Sequence, residues 1–259
     1  MNYSKREWIN LGISLIITII FVSIFTIILG TGRLGVMLFG TDSAYYPLTL
    51  YNLMYLFFFI GLGQLWVRWL STYEENVFLK KSGFLPEDEN AVLSNDEMIE
   101  KIRINAANAV VRGEAFLPGL INNCINQYFK SHSVSDALSV LNSDLDLSIH
   151  RLDLRYSMCK YIVWAIPTFG FIGTVVGIGN AMSKLDIIKF MGTLSDKVVQ
   201  FKALASDMGF AFNTTIVALI LSAIFVFLMQ IVQSGEEDAL NRSGKYVLTN
   251  FINKLSVKK

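Results

Sequence analysis

Four stretches of the chain contain no Asp, Glu, Lys or Arg: residues 8–32, 43–67, 161–183 and 208–235, which run 25, 25, 23 and 28 residues. A helix rises about 1.5 Å per residue and needs roughly 20 apolar residues to cross the hydrocarbon layer, so each stretch is long enough to span a membrane. The composition agrees, with 53% hydrophobic and 17% charged residues and a mean hydropathy of +0.47. The expected fold is an all-α membrane protein with four transmembrane helices, a small helical cytoplasmic domain, and long helices extending into the cytoplasm. Two spans, at about residues 9–30 and 46–68, fall in segment 1–70, and two more in segment 160–235 are joined by a short outer loop. Residues 71–159 are expected to form the cytoplasmic domain and residues 236–259 a C-terminal cytoplasmic helix.

Lys5 and Arg6 precede the first stretch as in a signal peptide. Its apolar run is too long, however, and no small-x-small cleavage site follows, so it reads as a retained span. The N-terminus, the segment from Arg68 to Lys160 and the C-terminus hold 17 of the 22 Lys and Arg residues. That excess predicts both termini and the long middle segment on the cytoplasmic side. Four of the other five are Lys184, Lys189, Lys197 and Lys202 in the outer loop, a distribution that runs against the rule. A net charge of +1 gives no reason to expect a nucleic-acid partner. Cys124 and Cys159 are too few and too far apart for a disulfide framework or metal site, and are expected to be reduced thiols facing the cytoplasm.

The middle segment opens with a loop, KKSGFLPEDEN at Lys80 to Asn90, and Ser94 with Glu97 fits a capping box that starts a helix near Asn95. Ser133 with Asp136 makes a second helix start. Beyond it Val134, Leu138, Leu141, Leu145, Leu152, Tyr156 and Cys159 recur at helical spacing, which predicts one uninterrupted helix from about Ser133 to Met182. In the C-terminal extension Leu240, Val247, Phe251 and Leu255 share a face, and Gly244 marks a point where that helix is expected to bend.

The third span contains FGFIGTVVGIG, Phe169 to Gly179, with four glycines. Helices in lipid associate by close backbone approach, which Gly173 and Gly177 in a G-x-x-x-G and Gly170 one turn earlier permit. A nucleotide-binding loop is excluded, because no strand precedes the glycines and no Lys follows for phosphate. In the fourth span Asn213, Thr214 and Thr215 form one polar step. They match a glycosylation triplet, but one lying in or at the edge of a span is no acceptor loop. Antiparallel packing of the two spans would set Thr174 and Thr215 beside a common path. Neither span has an ionisable residue between its flanks, so a titrating group for proton conduction must come from elsewhere.

IPTFGFIGTVVGIGNAM, Ile166 to Met182, resembles the P-x-x-G-x-x-G-T-V-x-G-I segment of the MotA/TolQ/ExbB proton-channel family. LASDMGFAFNTTIVAL resembles that family's second pore helix, LA-x-G-I-x-x-A-L-x-x-T-x-x-G-L. Pro167, Gly170, Gly173, Thr174, Gly177 and Ile178 fall on the first motif, and Leu204, Ala205, Thr215 and Leu219 on the second. Ala218 stands where the family usually has Gly, and Ile224 where its transport branch has Pro. The resemblance covers about residues 160–235, and the four-span plan is similar to the flagellar-stator branch whereas the Gly-Thr motif is similar to the Tol/Exb branch.

The resemblance implies an ion-driven motor in the bacterial inner membrane, in which five copies ring a pair of single-span MotB/TolR/ExbD-like subunits, each bringing an intramembrane Asp. Thr174 and Thr215 would line the ion's route to that Asp, with Thr214 as a further candidate. Pro167, Gly170, Gly173 and Gly177 would pack helices and give the partner a smooth wall. One charge crossing 100 mV releases about 2.3 kcal/mol, enough to break weak, repeated contacts. The Gly-Thr pairing favours H⁺ as the transported ion, Na⁺ being the alternative because Thr214 adds a hydroxyl, and no other cofactor is implied. Arg103, Arg112 and Glu114, with Glu97 and Glu100, could form a surface that contacts an effector, or simply a solvated face. Asp146 and His150 lie four apart, the spacing of a metal pair, but fit a solvated face better. No constellation for catalysis is present, so an enzyme is not expected; a stand-alone secondary transporter and a structural scaffold are the competing classes.

Overall fold

The first helix, α1 (Tyr3–Leu29), is rich in isoleucine, a residue that crowds a helix in water. In hydrocarbon the backbone must satisfy its own hydrogen bonds, and the same sequence is held helical. Its surface fits that solvent, since Ile13, Ile16, Ile20, Ile27 and Ile28 are all exposed. The structure, a computed structural model, describes residues 3–30, 32–41, 46–81, 85–86, 96–112, 116–190 and 194–255. Among these the regular elements are helices: α2 (Arg33–Phe39), α3 (Leu50–Lys81), α4 (Asp96–Arg112), α5 (Phe116–Ser131), α6 (Val134–Arg155), α7 (Ser157–Phe190), α8 (Leu194–Asn250) and a closing 3-10 turn at Ile252–Lys254. Four segments are long and apolar enough to cross a membrane, within α1, α3, α6 to α7, and α8, so the fold is that of an all-α, multi-pass membrane protein.

The chain divides into two compact units, each built from two separate stretches. Residues 1–65 and 158–229 form the first, which holds the apolar runs. In it α2, a short helix inside what the sequence suggests is a plain outer loop, is closed by Gly40 at φ 60°, and Phe39 seats in a cluster of rings with Phe21, Phe25 and Tyr55. Thr49 starts α3 by accepting the Asn52 N–H at 3.3 Å. At Gly63 there is no room for a side chain, because Ser14 of α1 lies against its backbone.

Residues 66–157 and 230–259 form the second unit, and its core is an ordinary hydrophobic one. Ile99, Ile102 and Ala106 of α4, Leu117, Ile121 and Ile125 of α5, Leu141 of α6, and Leu240, Val247 and Phe251 of α8 are buried together. The α5–α6 turn passes through His132, at φ 51°, and Ser133 caps α6 by accepting the Asp136 N–H at 3.3 Å. α8 continues as helix through Gly244 to Asn250, and the Leu145 side chain occupies the notch that the glycine leaves. The helix expected from Ser133 to Met182 is interrupted at Tyr156, where the turn closes on Asp153 and Leu154 carbonyls and α7 starts anew at Ser157. Both cysteines are buried rather than facing the cytoplasm, and burial together with the nearby charge of Asp144 pushes the Cys124 thiol up to about 12. Ser94 and Asn95, and most of the Lys80–Asn90 loop, lie outside the described residues.

Candidate functional site

The site is the seam between α7 and α8 in the first unit. Each glycine of the motif receives a residue of α8. A methyl group at Gly170 would overlap Ala218 and one at Gly173 would overlap the Thr214 side chain; at Gly177 it would stand 2.7 Å from the Ala211 methyl and 2.9 Å from the Asp207 carbonyl oxygen. The close approach that small residues permit in lipid is therefore taken up by α8 at all three glycines. These three glycines, expected from the resemblance to offer a wall to a partner, are filled by α8 of the same chain. Pro167 sits inside α7 without ending it, which removes one backbone donor from the membrane helix.

Thr174 and Thr215 meet across this seam, their hydroxyls hydrogen-bonded to each other. Each also lies within donating distance of a carbonyl on either helix: Thr174 Oγ1 is 3.3 Å from Gly170 O and 3.1 Å from Ala211 O, and Thr215 Oγ1 is 3.2 and 3.3 Å from the same two oxygens. Two hydroxyl hydrogens are thus shared among four oxygens. The protein consumes the hydrogens and leaves hydroxyl lone pairs, so the half-buried pair is equipped to accept from water or a hydrated proton, or to ligate a bare cation. Thr214 is different. It is fully buried, donates to Ala211 O at 2.9 Å and fills the Gly173 notch, so its hydroxyl is spent within the seam. At the end of the seam nearest the α7–α8 connection, the Lys184 ammonium lies 2.6 Å from an Asp207 carboxylate oxygen.

The charged residues singled out in the sequence are less gathered. Arg103 pairs with Glu100 on its own helix at 2.5 and 2.8 Å and lies 3.5 Å from the Asn126 amide oxygen; the Arg103 guanidinium holds the Glu100 carboxyl below its usual range. The side chain of Arg112, like that of Glu97, and the whole of Glu114 fall outside the described residues. Asp146 and His150 are both exposed on α6.

Sequence reasoning missed the buried carboxylates of the second unit. Glu75, 1% exposed, accepts from the Phe116 and Leu117 N–H groups at 2.8 and 3.0 Å and from the Ser243 hydroxyl at 2.6 Å. It caps the start of α5 from another helix. Glu236, equally buried, accepts from the Tyr156 hydroxyl at 3.0 Å and lies 3.9 Å from Arg155, with Arg68 as a second positive neighbour. Glu236 directly follows the uncharged run 208–235 and Glu75 lies eight residues beyond the run 43–67, positions where a solvated flank is the default expectation. The only sequence signal was that Glu75 and Glu236 fall on the inward face of their helices.

Four apolar segments, with two of their helices meeting through glycines and paired hydroxyls and no carboxylate between the flanks of either apolar run, define a multi-pass helical membrane protein of the channel kind. Residues 117–243 match the MotA/TolQ/ExbB proton channel family, and that segment, just under half of the chain, belongs to it. The match begins at α5, well before the two pore-type helices. Neither a curated protein nor a solved structure matches the chain.

Proposed function

We propose that this chain is the pore-forming subunit of a rotary motor complex driven by an ion gradient. In it, five copies surround a pair of single-span subunits, and ion flow past an Asp on each partner is converted into mechanical work. The complex sits in the inner membrane with both termini inside, as the Lys and Arg distribution favours. One observation carries the reading: two membrane helices pair two half-buried hydroxyls, Thr174 and Thr215, in a seam whose uncharged runs, 161–183 and 208–235, supply no carboxylate. Such a seam can guide an ion but cannot store one, so it needs a carboxylate from a partner. The family's proton-channel character supports this division of labour. Proton flow is favoured over Na⁺ because Thr214, the extra hydroxyl a sodium site would want, is already committed to Ala211 O.

The test uses the complex purified from its native membrane with whatever co-purifies, reconstituted into liposomes under an imposed potential and read with a pH-sensitive dye. Thr215→Val keeps the shape and removes the hydroxyl; proton flux should fall about tenfold, the worth of one lost hydrogen bond at a barrier, with the mass of the complex unchanged. Thr214→Val should leave flux near the wild-type value. Full flux in the Thr215 variant, or equal losses in both, would overturn the assignment.

A further inference from the structure

We infer that Asp207 is the residue through which a cation enters the threonine path, and that Lys184 is its positioning residue, holding the carboxylate at the outer mouth. The inference rests on the proposed ion path and deepens it by assigning its entrance. Asp207, Ala211, Thr215 and Ala218 follow one another along the side of α8 that meets α7, at spacings of four, four and three. Lys184, Ala181, Gly177, Thr174 and Gly170 do the same on α7. Contacts at Gly177, Gly173 and Gly170 make this one continuous seam, and the Lys184–Asp207 pair lies at its end nearest the α7–α8 connection. Eight residues separate Asp207 from Thr215, about 12 Å along the helix. A cation at the carboxylate is therefore about two helical turns from the first hydroxyl lone pairs.

The surroundings give this carboxylate a task beyond tying two helices together. Segment 184–207 carries four Lys against three Asp, and Lys202 on α8 is exposed, so the approach is otherwise mildly repulsive to a cation. Asp207 keeps 21% of its side chain exposed and Lys184 32%, which leaves both reachable from water. A half-buried pair that water still reaches adds only modestly to stability, about 1 kcal/mol. A negative charge at a mouth, in contrast, raises the local concentration of the entering ion and the rate at which it arrives.

The two roles separate by charge. In the same purified complex, Asp207→Asn should lower flux about fivefold at low salt, the effect of removing one unit charge close to an entering ion in water, and the deficit should shrink as salt approaches about 1 M. Lys184→Gln breaks the same ion pair but leaves the carboxylate, so flux should equal or exceed the wild-type value. Thr215→Val, measured alongside, reports on the path itself. Equal losses in the Asn and Gln variants, tracking a lower melting temperature, would reduce the pair to a packing contact and overturn the inference, as would an Asn variant with wild-type flux. If Thr215→Val is silent while Asp207→Asn responds, the threonine path fails and takes with it the inference that Asp207 feeds that path, leaving an electrostatic effect of Asp207 on another route. A complex without flux in any form sinks both.

Discussion

The two units bury polar groups by opposite means. In the first, the polar groups along the α7–α8 seam between Gly170 and Gly177 are hydroxyls, each able to be satisfied by the carbonyls of the helices that carry it, and the Lys184–Asp207 ion pair is kept to the seam's end. In the second, the buried groups include the ionisable side chains of Glu75, Arg68 and Glu236, and Glu75 is served by donors more than forty residues away in sequence. Solvent explains the difference. A helix in lipid keeps its backbone bonded internally and tolerates only side chains that need nothing further. A helix in a water-facing domain has ends with unsatisfied N–H groups, and a carboxylate from a neighbour is a strong way to meet them. The lesson is that polarity was kept weak where an ion is proposed to pass, and strong where shape must be fixed.

That contrast can be broken experimentally, and the largest effect should come from the charged side. Glu75→Ala leaves the Phe116 and Leu117 N–H groups and the Ser243 hydroxyl without their acceptor, and should cost about 3 kcal/mol or more, seen as a large fall in the melting temperature in detergent. Glu75→Gln retains an acceptor oxygen and should lose about half as much. Next comes Gly173→Val, which forces a side chain onto Thr214; overpacking of this kind should cost about 2 kcal/mol and abolish flux by parting the two hydroxyls. The smallest effect should be Ser133→Ala, which removes the α6 cap at a cost of about 1 kcal/mol and leaves flux unchanged, as a thermal melt paired with the liposome assay would read. A Gly173 variant more damaging to stability than Glu75→Ala would reverse the comparison.

What the sequence made legible follows from the same physics. Spans were visible because hydrocarbon imposes a length and excludes charge over all of it, a signal spread across more than twenty residues at a time. The Thr174–Thr215 encounter was visible because two antiparallel spans with few hydroxyls leave few ways to pair them. The direction in which the glycines face was not, since small residues announce a close approach without naming what approaches. The break at Tyr156 was hidden for a different reason: no Gly or Pro lies beside it, and the hydroxyl of Tyr156 is bonded to Glu236, eighty residues further on. Burial of Glu75 was equally opaque, because its bonding partners Phe116, Leu117 and Ser243 lie on two other helices.

Both halves of the hydroxyl pair come from a single polypeptide, zipped by its own glycines. Each subunit would then arrive at the proposed assembly with its station already complete, and oligomerisation would multiply stations without creating any new kind. In assemblies doped with Thr215→Val chains, activity should decline stepwise with the number of defective members, and one faulty copy should disable only its own station.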